Sequence, residues 1–600
     1  MTDSLLYSKV YSSNSRYFIL TLSLEMSDDP KFFPLACAAL MMSACSSDND
    51  IEGGATKPGS DPQYLAVNIV NVGTTPTRAG EYENGTEEES KIKKVRFYFF
   101  NGDGSPYLIK NPNVTGVTGG GSVNYLEATP GDDTTTPGSS ANVEKITQTV
   151  LVINGEQNAA PAAIMAVVNP ETVEPATLKD GATMRLSELR KAAVGQNFYK
   201  KDASTSALSD FVMSNSVYVN TGEDVCASLV AGHIATSQET AMTKPVDLYV
   251  ERVVAKVTAN VDLNVFEKGN GTNWDATQYG TKTAVGKIGA YDVYAVIDGW
   301  GLADENGKAE IEKQVSKSWT DGNLGFSPWT TSDYHRCFWE QSVALDAGIG
   351  GNQPVNHLYN DFKAKMNDVL YTLPNTPDAT ITNVYDNNVT KFLVAATLKY
   401  KDEYNNWHLA EICRYNGVEF LGIDNLKTQV ANTFSKYYTS TDNGSTYTQL
   451  AKDDITFAEP TTSMKNYQVT PTLAPDPAGV TKKYYTKTTS GTTPTFTEVD
   501  KATVLAAIGA DKAEIRTEGK AYYYVPVRHL GTAGTLGEYG VVRNHFYKIT
   551  LTGIKGFGTP VYNPDKVIDP TVPSYDNTFL AARVQVLQWR VVNQNVSLGK

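Results

Sequence analysis

The stretch PVDLYVERVVAKVTANVDL, residues 245–263, alternates with a period of two. Val253, Ala255, Val257, Ala259 and Val261 fall on one side and Val254, Lys256, Thr258 and Asn260 on the other. Successive side chains of an extended chain point to opposite faces, so this pattern predicts a strand with a buried face and argues against an amphipathic helix. The same reading applies to YLAVNIVNV, where Leu65, Val67 and Ile69 alternate, and to VRFYFF, TQTVLVING and AAIMAVVNP in the first half. In the second half it applies to AYDVYAVIDGW, TKFLVAATLKY, KAYYYVPVRH, NHFYKITLTGI and FLAARVQVLQWRVV. Gly, Pro, Asn and Asp punctuate the gaps. The best helix in the first half is TMRLSELRKAAVGQ, with Ser187 as cap and Gly195 as terminator. The fold class this predicts is all-β with minor α, built as β-sandwiches with long loop insertions.

At 600 residues the chain is long enough for two to four domains. A formal net charge of −14 argues against a nucleic-acid partner. Thr, 34 Tyr and 47 Gly fit a turn-rich β protein. No apolar run reaches the length of a membrane-spanning helix. One internal repeat is visible: KYYTSTDNGSTYTQLAKDDIT at 436–456 matches KYYTKTTSGTTPTFTEVDKAT at 483–503. Two copies are too few for a solenoid and predict a pair of decorating hairpins, whose tyrosines either pack or contact a ligand.

The beginning of the chain reads as an address. From Met26, the expected true start, runs MSDDPKFFPLACAALMMSACSSDND, with an apolar run from Phe32 to Ala44 of signal-peptide length. Ser43-Ala44-Cys45 resembles a bacterial lipobox, in which the Cys45 thiol is acylated; Met42 departs from the usual leucine. A polar tether follows, then YLAVNIVNV, then the loop TPTRAGEYENG with its single arginine, Arg78. Arg78 is the only arginine between Arg16 and Arg96, and Pro76 and Gly80 favour an irregular, protease-accessible backbone. Arg96 lies in the predicted strand VRFYFF and is expected to be protected.

No catalytic constellation stands out. GxSxG, HExxH, P-loop and GxGxxG patterns are absent from the sequence, and no cofactor or metal is expected. Cys226, Cys337 and Cys413 read as small buried hydrophobes. His335 and Cys337 are the only close His/Cys pair, in an aromatic setting that reads as structural. NGDGSP and DNDIEGG lack the distal glutamate of a calcium loop.

Several blocks together resemble the fimbrillins, the major subunits of Bacteroidia-type fimbriae (type V pili), and specifically their Mfa-like stalk branch. YVERVVAKVTANVD resembles an interdomain strand of that family. YGVVRNHFYKITLTGIKGFG and TFLAARVQVLQWRVVNQNVSL resemble its last strands, AVVNP and MSNS resemble first-domain signatures, and TRAG resembles its arginine cleavage site. The resemblance implies two tandem transthyretin-like β-sandwich domains and no enzymatic activity. It implies export as an outer-membrane lipoprotein precursor, cleavage between Arg78 and Ala79 by an Arg-specific protease, and removal of the strand bearing Leu65, Val67 and Ile69. The C-terminal strand of another subunit would then fill the vacated place, making a homopolymer by donor-strand exchange. Accessory tip and anchor subunits would complete a cell-surface fimbrium serving adhesion. The expected segments are 1–45 (export), 46–78 (propeptide and removable strand), 79–250 and 251–578 (sandwiches, the second with the 436–503 repeat insertion) and 579–600 (donor strand). Within the last, Val584, Val586, Leu587, Trp589 and Val591 are the candidate donor residues. Their apolar parity changes near Val586–Leu587, which predicts either a bulge there or burial on both faces. The competing expectation is a surface lipoprotein that binds glycan or host protein without polymerising.

Overall fold

A computed structural model describes residues 63–72, 85–587 and 591–593, less short internal stretches of which the longest are 130–142, 327–336 and 343–354. Strands dominate and helices are few and short.

The first half is organised by one curled sheet. Its strands are β1 (Gln63–Val72), β2 (Val95–Phe100), β3 (Tyr125–Ala128), β4 (Val143–Ile153), β5 (Ala163–Val168), β6 (Met213–Asn215), β7 (Ser228–Leu229) and β8 (Val246–Arg252). They lie in the order β3-β2-β5-β6-β8-β1-β4, with β7 on β5. All six side chains of β2 are buried, as are Ile164 to Val168 of β5, so these strands are covered on both faces. Leu65, Val67 and Ile69 join Phe97, Phe99, Ile164, Val250 and Leu248 in one core.

The second half is a sandwich of two sheets. One contains β9 (Ala255–Val261), β11 (Val369–Thr372), β14 (Phe546–Lys555), β15 (Phe579–Leu587) and β16 (Val591–Asn593), in the order β11-β9-β14-β15-β16. The other is centred on β10 (Tyr291–Ala303), β12 (Lys391–Lys401) and β13 (Lys520–Pro526). Val257 and Ala259 from β9 and Ile549 and Leu551 from β14 meet Val293, Val394 and Tyr523 of the facing sheet.

Three local expectations change. The long alternating stretch 245–263 is two strands in two different sheets. Val253 and Val254 are both buried, a run that no single half-buried strand accommodates, and the chain turns there from the first sheet to the second. The helix near 187 spans only Leu186–Arg190, with Arg185 rather than Ser187 at the N-cap, and it ends well before Gly195. No bulge sits at Val586–Leu587: pairing with β14 runs in register through both, and the irregularity lies farther along the pair, between Leu551 and Gly553, beside Ala581 and Ala582.

Residues 402–519 leave and re-enter the second half between β12 and β13, which are adjacent antiparallel strands. They carry a core of their own, with Cys413, Tyr415, Leu426, Tyr437, Tyr484 and Ile508 among its members. The repeat forms two hairpins, Tyr437–Ser440 with Thr448–Gln449 and Lys483–Ser490 with Thr493–Val499, joined into one four-stranded sheet.

Candidate functional site: the seat of the first strand and the edge beside the last

β1 has a neighbour on each side. It runs parallel to β8, with Val67 opposite Val246 and Ile69 opposite Leu248. It runs antiparallel to β4 along its whole length, from Gln63 opposite Ile153 to Val72 opposite Val143. Leu65, Val67 and Ile69 have no exposed surface, whereas Asn68, on the other face, donates from Nδ2 to Asp247 Oδ1 at 2.8 Å. Tyr64 also exchanges backbone hydrogen bonds with Ala235. The strand is therefore an internal rung, and without it β8 and β4 would face each other across an empty, apolar-floored slot.

The residues just past the Arg78 loop are held differently. A four-residue helix, α1 (Glu87–Ser90), is opened by a capping box from Thr86 and Glu89. Glu89 is only 2% exposed, and its carboxylate meets Lys256 Nζ of β9 at 2.7 Å and the Tyr371 hydroxyl of β11. Burial alone would raise the Glu89 carboxyl, but the Lys256 and Arg252 charges outweigh it and hold it below the usual carboxylate range. Arg252, with no exposed surface, donates to the Glu89 carbonyl at 2.8 Å, Ser90 Oγ at 3.1 Å and Asn544 Oδ1 at 3.3 Å. Asn544 sits at φ +55°, a left-handed conformation that asparagine tolerates, and its backbone N–H donates to the Val254 carbonyl.

The two blocks VER and VVRNH, almost 300 residues apart in sequence, thus meet where the first sheet hands over to the second. Their charged members are each enclosed by a partner. Glu251 pairs with Lys313 at 2.9 Å, and Arg543 pairs with Glu340 at 2.8 Å while donating to the carbonyls of Ile311 and Glu310. Sequence reasoning missed this cluster; the charged pair Glu-Arg inside a run of valines was the available signal, since charges in a core survive only when paired.

The last strands lie at a sheet margin. β15 pairs along β14, Val584 opposite Ile549, Val586 opposite Tyr547 and Leu587 opposite Phe546. Among the described residues its other side carries the three-residue β16, with Val591 opposite Leu587. Cys45, Arg78, Ala79 and Trp589 lie outside the described residues. Arg96 is in β2 and 8% exposed, its guanidinium bound to Glu127 at 2.6 Å.

The arrangement offers little chemistry. Cys226, Cys337 and Cys413 are free and buried; burial pushes the Cys337 and Cys413 thiols up to about 12. His335 lies outside the described residues. The structure does gather two of the scattered histidines, His529 and His545, ring centroids 5.1 Å apart, into a packed aromatic group with Trp339 and Tyr547. Burial drives His529 down to about 3, so it stays neutral. Among the described residues no His/Cys/Asp/Glu cluster could hold a metal ion.

These features define an all-β protein with a first strand held between two neighbours and a long strand near its C-terminal end. Residues 516–595 match the family model for the C-terminal part of the major fimbrial subunit protein type IV, fimbrillin. That segment holds β13 to β16 and the VVRNH block. The match supports a fimbrillin-like C-terminal part, and with it the coarse reading of a fimbrial subunit. No curated protein sequence matches the chain. Among solved structures, a fimbrilin (FimA) of Porphyromonas gingivalis W83 is similar at 13% identity and TM-score 0.33, covering 88% of this chain and 99% of that one. The tip fimbrial protein Mfa3 of Porphyromonas gingivalis, with a C-terminal truncation, aligns at 10% identity and TM-score 0.27, over 88% and 100% of the two chains. A fimbrial assembly protein of Parabacteroides distasonis aligns at 10% identity and TM-score 0.23, over 58% of this chain and 98% of that one.

Proposed function

We propose that the chain is a stalk subunit that polymerises by strand replacement after proteolysis. In this reading the precursor, starting at Met26, is acylated on Cys45 and reaches the outer membrane. An Arg-specific protease cuts between Arg78 and Ala79, β1 leaves, and the C-terminal strand of a second subunit enters between β8 and β4. Residues 79–250 and 251–578 act as two transthyretin-like domains. Tip and anchor subunits complete the fimbria, which supports adhesion.

The observation that carries this reading is the position of β1 between two hydrogen-bonding neighbours. Burying Leu65, Val67 and Ile69 contributes about 1.5–3 kcal/mol each, against a net domain stability of about 5–15 kcal/mol. Loss of β1 therefore leaves a marginal domain whose recovery requires another strand in the same slot, and strand addition is an established mode of recognition. In the uncleaved chain Val584, Val586 and Leu587 are paired with their own β14, so as donor residues they must unpair from it, while Val591 lies on β16 opposite Leu587. Electron microscopy of secreted protein before and after Arg-specific proteolysis tests the reading. Filaments are expected only after cleavage, with N-terminal sequencing of them starting at Ala79. Cleaved protein that stays monomeric overturns it.

A further inference from the structure

We infer that the outer face of the four-stranded sheet in the 402–519 insertion is a binding surface for carboxylate-bearing saccharides. The inference stands apart from polymerisation, because it concerns neither β1 nor the C-terminal strand.

The two copies of the repeat pair with each other, Tyr437 opposite Thr486, Tyr438 opposite Tyr485 and Thr439 opposite Tyr484. Tyr438 thus faces its own repeat counterpart across a local two-fold axis. Alternation then sorts the tyrosines. Tyr437 and Tyr484 enter the insertion's core, while Tyr438 and Tyr485 belong to the opposite face. There they meet Tyr447, just before the outer strand of the first hairpin, and Phe496, in the outer strand of the second. Tyr447 and Phe496 stack in parallel with centroids 3.9 Å apart. Tyr438 stands edge-on to Phe496 at 5.1 Å and Tyr447 edge-on to Tyr485 at 4.9 Å. At one end of the group an added Cβ on Gly444, at φ +90°, would lie 3.1 Å from the Tyr485 hydroxyl and 3.2 Å from that of Tyr447. Both phenol oxygens therefore converge under that loop.

Tyr438, Tyr447 and Phe496 remain half-buried around a buried Tyr485, and three adjoining rings on one face differ from the singly exposed apolar side chains that any surface carries. What would cover them is set by the charges around them. Lys483 and Lys487 flank Tyr485 on its own strand, and Lys487 Nζ lies 5.8 Å from the Tyr438 ring centroid. Glu498, opposite Tyr485 on the neighbouring strand, is 3.4 Å from Lys483. In a chain with 66 acidic and 52 basic residues, two ammonium groups against one carboxylate make a locally basic platform. Rigid aromatic rings suit the apolar C–H face of a pyranose, and the free ammonium suits an anion on that ring. A sialic acid or a uronic acid supplies both.

The test uses the full-length mature protein and isothermal titration with 3′-sialyllactose, tetragalacturonate and lactose. At least one acidic saccharide is expected to bind, with lactose weaker by about tenfold or more, the scale of one desolvated cation or ring contact. Which acidic saccharide binds identifies the source of the carboxylate. Lys487→Glu should weaken binding about tenfold, with the melting temperature unchanged, and Lys487→Arg should retain it. Tyr438→Leu should weaken it too; if that variant melts early, the lysine pair of variants decides. Binding should also fall as salt rises. The inference is overturned if neither acidic saccharide binds, if lactose binds equally well, or if Lys487→Glu changes nothing. It is equally overturned if a poly-glutamate peptide binds as well as the saccharides, or if the face instead mediates self-association that Lys487→Glu abolishes.

Discussion

The first described strand, β1, and the last long one, β15, are both apolar and alternating in sequence, yet the fold treats them oppositely. β1 is hydrogen-bonded on two sides and its three alternating aliphatic residues have no exposed surface. β15 has a full partner on one side and only three residues of β16 on the other. An internal rung is coupled to two neighbours at once, so it opens only when the sheet opens. A marginal strand can part from its single long partner one residue at a time. In the proposed assembly a covalent cut would therefore be the trigger for releasing the first, and the second would need no such trigger. Similar sequence patterns acquire different uses from their place in the sheet order.

The sharpest way to break this contrast is to block the cut. Arg78→Ala should abolish filaments altogether while leaving a folded, secreted precursor, as read by electron microscopy and N-terminal sequencing; filaments of uncleaved protein would sever the link between β1 and assembly. Deleting residues 588–600 should be equally complete in its effect on filaments, yet leave a monomer that is still cleaved after Arg78. Filaments from the truncated chain would move the donor role to another surface.

A smaller effect separates β1 from the joint beside it. Glu89→Gln leaves Lys256, itself 6% exposed, without its anionic partner, and breaking a buried pair in this way costs about 3–5 kcal/mol. Because α1 lies beyond the Arg78 loop, the loss should be the same before and after cleavage, measured by denaturant unfolding. The pH dependence has a definite sign. The Glu89 carboxyl titrates below its ordinary value in the folded chain, so its stabilisation is present above the unfolded carboxylate range, about pH 4.3, and is lost as pH falls through the folded value. The variant should lack that acid step; an unchanged step would assign it to other carboxylates.

Much of this fold was legible from period-two patterning, because β1, β2, β9, β12 and β14 each bury at least one alternating face. What patterning could not supply was where one strand ends and another begins when both faces are covered. Val253-Val254 reads as continuation but is a crossing between sheets. The handover cluster was hidden for a related reason. Glu89, Arg252 and Asn544 are polar residues far apart in sequence, and only the tertiary fold gives each the partner that makes its burial tolerable. The repeat at 436–503 was visible as a repeat, but its self-pairing depends on antiparallel register, and the surrounding 402–519 core draws on Leu426 and Ile508, outside the repeated blocks.

The finest test of the contrast lies within β1 itself. Leu65→Ala should destabilise the uncleaved precursor by about 2–5 kcal/mol, the range for a fully buried leucine whose cavity cannot collapse. Asn68→Ala, which removes the partly exposed hydrogen bond to Asp247, should cost only about 0.5–1.5 kcal/mol. If β1 leaves with cleavage, neither substitution should alter the stability of finished filaments, since neither residue would remain in them. Asp247 stays behind on β8 whichever strand occupies the slot, so Asp247→Ala should register in precursor and filament alike if the incoming strand also makes a polar contact there. Denaturant midpoints of the precursor, set beside heat-dissociation curves of the filaments, separate the two sets of effects. A filament weakened by Leu65→Ala would mean that β1 is retained in the assembled state, and the division between a discarded first strand and a shared last one would fall.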